Sequence, residues 1–169
     1  VVKDPLERKN SGDNTPAIIY TRIVGGDKIS LSVMPKGFGS ENMSRIKMLN
    51  PSDGEDAIVD FVKETVCIAG GKPCPPLIIG VGIGGTFDYA AVLSKKALLN
   101  EVGKNSIRFG ELEQKILKAV NETGIGPQGL GGDVTALWVS VEGYATHIAG
   151  LPVAVNIGCH VTRHAKEII

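Results

Sequence analysis

A short and almost entirely apolar run near the middle of the chain constrains the fold more than any other feature. Residues 77–83, with the sequence LIIGVGI, carry no polar or charged side chain, which is typical of a central strand buried on both faces. Gly84-Gly85 follows directly, and the next residues, about 86–100, predict a helix. A buried strand that leads straight into a helix predicts an α/β or α+β fold with a mixed β-sheet packed against helices.

Two apolar runs near the beginning of the chain predict a hairpin. Residues 17–24 and 28–34 are separated by Gly25-Gly26-Asp27, and the second run alternates between apolar and polar side chains. Two such runs joined by a glycine-rich turn are typical of paired antiparallel strands with one buried face. We therefore expect the mixed sheet to include this N-terminal hairpin.

The remaining elements are predicted from periodicity and capping signals. Ser52 with Glu55 fits a capping box, and the helix that begins there ends at Gly70-Gly71. The apolar face of this helix consists of Ile58, Phe61, Val62, Thr65, Val66 and Ala69. Further predicted elements are helices at 41–49 and 109–123 and strands at 135–141 and 153–156. No repeat or linker divides the sequence, so we expect a single domain over residues 1–169.

Charge and cysteine usage narrow the class of protein. Lysine plus arginine equals aspartate plus glutamate at 18 each, so nothing favours a nucleic-acid or membrane-surface partner. The longest apolar runs are too short to cross a bilayer, and no secretory signal is apparent. Three cysteines are too few for a disulfide scaffold and are typical of reduced thiols in a cytoplasmic protein.

Gly80 to Gly85 match the pattern G-x-G-x-x-G, close to the predicted junction between strand and helix. This pattern is the fingerprint of dinucleotide binding, and a dinucleotide-binding module is one alternative function. The polar residues 100–105 argue against it, because a second apolar strand ending in an acidic residue should stand there. A tight turn that needs small residues, or an anion site made of backbone N–H groups, explains the motif equally well.

The three cysteines differ in their surroundings. Cys67 lies on the predicted capped helix, where core packing is the ordinary role of a free cysteine. Cys74 stands between prolines, which hold its thiol on a stiff, non-helical segment. Cys159 follows a short strand and is followed by His160 and Arg163, which favour a thiolate or a bound anion. Two cysteines so far apart in sequence are by themselves only a weak indication of a metal site.

Five segments together resemble one family. They occur in the family's order along nearly the whole chain: GDNTPA at 12–17, KGFGSEN at 36–42, CPPLIIGVGIGGT at 74–86, GPQGLGG at 126–132 and PVAVNIGCHVTRHA at 152–165. The sequence resembles the class I fumarate hydratases, specifically the alpha subunit of the two-subunit form, and the related L-tartrate dehydratases.

This resemblance implies a [4Fe–4S] cluster held by three cysteines, of which Cys74 and Cys159 look like two. The iron that lacks a protein thiolate would act as a Lewis acid, so that water adds to fumarate to give L-malate, or leaves a related dicarboxylate such as L-tartrate. Gly39 looks like a backbone position that contacts substrate. Residues around the cluster would be Gly84, Gly85, His147, His160 and Arg163.

The resemblance also implies parts that this sequence does not contain. The family's first cluster cysteine lies upstream of the first matching segment, and no spare cysteine replaces it here. We therefore expect a C-terminal part of an alpha subunit, inactive by itself, that works in an oligomer with a fumarase beta subunit or domain. The non-enzymatic alternative is an assembly domain whose glycine-rich loops form the interface with another chain.

Overall fold

The computed structural model describes all 169 residues, which divide into two compact units. The smaller unit comprises residues 1–30 and 168–169, and the larger comprises residues 31–167. In the smaller unit, Val2 and Asn10 form an isolated antiparallel bridge, and Asp13 accepts hydrogen bonds from Thr15 through its carboxylate. The expectation of a single domain stays a prediction.

The strands form two sheets. A two-stranded sheet pairs β1 (Ser30–Val33) with β6 (Ala165–Ile168). A four-stranded sheet has the order β2-β5-β3-β4, with bounds Arg45–Leu49, Leu151–Gly158, Leu77–Gly84 and Ala136–Tyr144. Strands β3 and β4 are parallel, whereas β5 is antiparallel to both β2 and β3. The predicted mixed sheet is therefore confirmed.

Four helices pack against this sheet: α1 (Phe38–Glu41), α2 (Gly54–Ala69), α3 (Phe87–Ala97) and α4 (Gly110–Asn121). Leu77, Ile79 and Val81 of β3 join the core formed with α2 and α4. The alternate residues Gly80 and Gly82 lie under α3. Because successive side chains of a strand point to opposite faces, α3 covers one face of the sheet while α2 and α4 cover the other. None of the helices has both the length and the apolar composition needed to span a membrane.

Most of the predicted helices and strands are confirmed. All six residues of the predicted α2 face are buried, and β3 is buried over nearly its whole length. Helices α3 and α4 and strands β4 and β5 lie within a few residues of their predicted positions. These are the elements with the strongest periodic patterns, which is where a sequence is most informative.

The predicted N-terminal hairpin is wrong. Residues 17–24 form no strand, and Ile18, Ile19 and Ile23 are each at least 79% exposed. The alternating run that follows is a strand, but β1 pairs with β6 from the other end of the chain. Alternation indicates which residues share a face, whereas the strand partner is selected by long-range contacts.

The predicted helix at 41–49 is also wrong, because Arg45–Leu49 is strand β2. Its residues are good helix formers in isolation, but pairing with β5 overrides that weak preference. The capping box is displaced as well: the Asp53 carboxylate accepts a hydrogen bond from the backbone N–H of Asn50 at 2.9 Å. Helix α2 accordingly begins at Gly54.

The glycine motif at 80–85 lies mostly inside a strand. Residues up to Gly84 belong to β3, so only Gly84 and Gly85 approach the turn into α3. A Cβ atom on Gly80 would lie 2.1 Å from the Ser94 carbonyl oxygen, and one on Gly82 would lie 2.1 Å from that of Ala90. The first two glycines therefore allow α3 to approach the sheet, which is a packing role.

Candidate functional site

Cys74 and Cys159 lie at the same end of the four-stranded sheet. Cys74 precedes β3 and Cys159 follows β5, and the antiparallel register places Ile78 opposite Gly158. The backbone nitrogen and ring Nδ1 of His160 lie 3.4 Å and 3.0 Å from the Cys74 carbonyl oxygen. The fold therefore brings together the two cysteine segments that the sequence singled out. Cys74 is exposed and Cys159 is half-buried.

The turn that carries Cys74 is held in an uncommon conformation. Cys74 has a φ of 58°, in the left-handed region that side-chain-bearing residues seldom occupy. The next carbonyl oxygen, that of Pro75, accepts hydrogen bonds from the backbone N–H and the Nε2 of Gln128, at 2.9 Å and 3.1 Å. A Cβ on Gly129 would lie 2.6 Å from the Gly71 Cα. The glycine-rich segment 126–132 thus packs directly against this turn and fixes it.

The end of β5 before Cys159 is held by side chains. The Nζ of Lys36 donates a hydrogen bond to the Ile157 carbonyl oxygen at 2.7 Å, and the backbone N–H of Ile157 donates one to the Ser44 Oγ at 3.2 Å. Both come from the segment that contains α1. This arrangement restrains the backbone two residues before the Cys159 thiol.

Three charged side chains form a partly buried group beside this strand end. The Glu41 Oε2 forms an ion pair with the Lys36 Nζ at 2.9 Å, and the Glu41 Oε1 accepts a hydrogen bond from Lys95 of α3. Burial lowers the pKa of Lys36, and the Glu41 carboxylate opposes that shift only in part. Burial by itself would raise the pKa of Glu41, but the hydrogen bonds from Lys95 and Lys36 outweigh it, so the pKa of Glu41 is lowered.

Sequence reasoning missed this charged group. Lys36 and Glu41 stand within the matching segment KGFGSEN, and a lysine and a glutamate on either side of a glycine-rich turn were an available signal. Lys95 could not have been found in this way, since it belongs to a helix whose approach to α1 depends on the tertiary structure.

Gly39 lies near the cysteine segments. It is an exposed residue of α1, and a Cβ atom there would lie 3.8 Å from the Lys72 carbonyl oxygen, two residues before Cys74. Gly39 therefore shares this end of the fold with Cys74, and its contact with substrate stays a prediction. Arg163 is exposed in the segment after Cys159.

Gly84, Gly85 and His147 lie elsewhere. Gly84 is paired with Tyr144 of β4 at the other end of β3. The backbone N–H of Gly85 donates a hydrogen bond to the carbonyl oxygen of Ala145, two residues before His147. Strand β3 has eight residues, so at about 3.3 Å per residue roughly 23 Å separates its two ends. The expectation that these three residues surround the Cys74 and Cys159 group is not met within this chain.

The donor set at the cysteine pair is suited to iron and sulfide, because soft thiolate ligands select such clusters. It is incomplete as a three-cysteine site: no group of three or more His, Cys, Asp or Glu residues is positioned to hold a metal ion. Cys67 does not complete it. The expectation that Cys67 is a core residue is also wrong, because it lies on the exposed side of α2.

Replacing Glu41 by glutamine should weaken the acid sensitivity of the fold. A carboxyl group whose pKa is lowered on folding stabilises the protein above its unfolded-state pKa, and this stabilisation is lost as the pH falls through the folded-state value. One such group contributes at most about 1.4 kcal/mol per pH unit.

Denaturant unfolding between pH 7 and pH 3 measures this difference. The native protein should lose stability more steeply than Glu41→Gln once the pH falls below 4.5, the ordinary pKa of a glutamate side chain. Parallel pH profiles for the two proteins would contradict the assignment of the lowered pKa to Glu41.

The chain matches the family described as fumarate hydratase (Fumerase) over residues 1–167. It is 47% identical over 175 residues to a Methanocaldococcus jannaschii protein named "Putative L(+)-tartrate dehydratase subunit alpha", covering 99% of this chain and 61% of that protein. Proteins named "L(+)-tartrate dehydratase subunit alpha" from Escherichia coli O157:H7 and strain K12 are each 35% identical to it over 163 residues. Each match covers 95% of this chain and 54% of the other protein. The chain thus spans between 54% and 61% of the length of these relatives.

Proposed function

The chain belongs to the fumarate hydratase (Fumerase) family, and from that premise we propose that it supplies part of the active site of an iron–sulfur hydro-lyase. The reaction is the reversible addition of water to a small dicarboxylate, with fumarate and L-tartrate as the two candidate substrates of the complete enzyme. The observation that carries this proposal is the meeting of Cys74 and Cys159 at one end of the sheet, through the contact of His160 with the Cys74 carbonyl.

Cys74 and Cys159 are the residues that would hold the cluster. A third thiolate ligand must come from outside these 169 residues, since the structure places no third ligating side chain with them. When bound, the cluster supplies a Lewis acid for the hydroxyl and carboxylate groups of the substrate. The part played by this chain is to hold two thiolates in fixed positions, and the two backbone anchors described above serve that purpose.

The charged group beside Cys159 suits an anionic substrate. Lys36 and Lys95 contribute two positive charges against the single negative charge of Glu41, so this group of three side chains is itself net positive. Positive charge in a partly desolvated site raises the local concentration of a dicarboxylate and its rate of association. The backbone of α1 is accessible to a ligand at Gly39, because this exposed residue has no side chain.

A partner subunit is part of the same proposal. The relatives carry the designation "subunit alpha", which supports a beta subunit or domain that completes the active site. The glycine-rich segment 126–132 is exposed over most of its length, although its inner contacts already support the Cys74 turn. An interface with the partner remains compatible with that role.

The proposal is tested with the complete alpha subunit and its partner, reconstituted anaerobically with iron and sulfide. We expect a visible charge-transfer absorbance and conversion of fumarate or of L-tartrate, followed by the ultraviolet absorbance of fumarate or by the oxo acid formed from tartrate. The relative kcat/KM values for the two substrates would identify the physiological one. A colourless and inactive product would contradict the proposal.

No structural observation favours the dinucleotide alternative. Gly80 and Gly82 pack against α3, so these two glycines of the motif are explained without a nucleotide. Titration with NADH, followed by its fluorescence, should show no saturable change. Saturable binding that is lost when Gly85 is replaced would instead favour a dinucleotide site.

A further inference from the structure

We propose that Lys36 and Ser44 form a clamp on Ile157 that positions Cys159, and with it the Cys159 side of the cluster site. The proposal rests on the proposed function in assigning a ligand role to Cys159. It adds two positioning residues, neither of which would touch the cluster or the substrate.

The clamp lies just beyond the end of the pairing between β2 and β5. Strand β2 pairs with β5 only from Leu49 opposite Leu151 to Arg45 opposite Val155. Ile157 lies just beyond that register, and on the side of β5 that faces β2 its backbone groups bond to side chains. Its N–H donates to the Ser44 Oγ and its carbonyl accepts from the Lys36 Nζ. Two side chains thus take the place of one residue pair of a strand, and the residue two positions before Cys159 is held on both of its backbone polar groups. On its other side β5 stays paired with β3 as far as Gly158.

Lys36 is itself held in place. Its side chain is only 13% exposed, so water competes weakly for its ammonium group. Besides the Ile157 carbonyl it donates to the Ser40 Oγ at 3.1 Å and lies 2.9 Å from the Glu41 carboxylate. Glu41 is in turn bound by Lys95 of α3. Because hydrogen bonds from a charged donor are stronger than neutral ones, especially where water is largely excluded, Lys36 fixes β5 to α1 and, through Glu41, to α3.

The consequence reaches both cysteines. The chain passes from Ile157 through Gly158 to Cys159 and then to His160, which contacts the Cys74 carbonyl. A loosened Ile157 therefore moves the Cys159 thiol relative to the Cys74 turn, whose own anchor at Gln128 is independent of the clamp. A cluster that must contact both thiolates on one small cube is sensitive to that separation.

The test uses the complete protein with its partner subunit and two kinds of variant. Lys36→Met removes the donor to Ile157, and Ser44→Ala removes the acceptor with a much smaller change. Lys36→Arg keeps a positive donor and should restore function in part. Lys118→Met is the matched control, because this lysine is 79% exposed on α4 and contacts only Glu122 at 3.9 Å.

Two readouts are required. In cluster-free protein, amide hydrogen exchange at Ile157 should be at least about tenfold faster in Lys36→Met and in Ser44→Ala than in the native protein. In reconstituted protein, the half-life of the visible cluster absorbance in the presence of an iron chelator should be about tenfold shorter in Lys36→Met, and within about threefold of native in Lys36→Arg. Lys118→Met should match the native protein in both.

Different outcomes would contradict the proposed clamp and the proposed function. If Lys36→Met does not fold, Ser44→Ala decides, with a two- to fivefold shorter cluster half-life expected. Exchange at Ile157 within twofold of native in the folded variants would overturn the clamp, and so would faster exchange with an unchanged cluster half-life. If the native protein takes up no cluster, the proposed function fails, while the exchange measurement still decides whether Lys36 and Ser44 hold Ile157.

Discussion

Replacing Cys159 by serine in the complete enzyme should abolish stable cluster binding and lower the hydro-lyase kcat by at least about a thousandfold. Serine is nearly isosteric, but its hydroxyl is a poor ligand for iron in comparison with a thiolate. A Lewis-acid metal contributes several kcal/mol to such a reaction, and about 4 kcal/mol corresponds to a thousandfold change in rate. Iron and sulfide content per chain and the visible spectrum measure the first effect, and steady-state kinetics measure the second.

Two further cysteine variants make this result specific. Cys74→Ser should behave in the same way, because both thiols lie at the same end of the sheet. Cys67→Ser is the control, and it should retain the cluster and full activity, since Cys67 lies on the exposed side of α2 and in no potential metal site. Loss of the cluster in Cys67→Ser, or its retention in Cys159→Ser, would overturn the assignment of ligands.

Replacing Gly82 by alanine should lower the free energy of unfolding by about 3 kcal/mol or more. The added Cβ would lie 2.1 Å from the Ala90 carbonyl oxygen, 2.5 Å from the Ser94 nitrogen and 2.8 Å from the Leu93 Cβ. Two of these atoms belong to the backbone of α3, so no side-chain rotation relieves the clash. Overpacking of a core commonly costs about 1–3 kcal/mol, and sometimes more where the backbone must move. Denaturant unfolding followed by circular dichroism measures the change.

Gly25→Ala is the matched control for this prediction. No atom lies within 4 Å of a Cβ built on Gly25, and its φ is not in the left-handed region. The same substitution should therefore change the free energy of unfolding by no more than about 0.5 kcal/mol. A Gly82→Ala protein as stable as the native one would show that the glycines of β3 are not required for helix packing.

The elements that the sequence predicted correctly have something in common. Helices α2, α3 and α4 each bury a face that is visible as a local pattern with a period near 3.6 residues, and strand β3 is visible as a continuous apolar run buried on both faces. The cysteine segments were likewise marked by local features, the prolines around Cys74 and the short strand before Cys159. Burial and backbone stiffness follow from neighbouring residues, so one sequence was sufficient to locate them.

The errors in strand assignment arose where the answer depended on a partner distant in sequence. Arg45–Leu49 has the composition of a helix and became a strand because β5 was available to pair with it. The alternating residues of β1 were correctly predicted as a strand, but their partner is β6 and not the preceding run. Pairing is a long-range choice, and a strand's own sequence specifies its faces and not its neighbour.

For the proposed site, the sequence by itself determined which segments carry thiols and which of them has a stiff backbone, because thiol chemistry and proline stiffness are properties of residues. That Cys74 and Cys159 are ligands stays a prediction that the family resemblance supplied. Only the tertiary structure decided which segments meet. The antiparallel register of β3 and β5 places Cys74 and Cys159 at the same end of the sheet, whereas Gly84 lies at the far end of β3 and Gly85 follows it. The same fold assembled Lys36, Glu41 and Lys95 from α3 and the segment that contains α1, since charges distant in sequence become one site only when packing brings them within hydrogen-bonding distance.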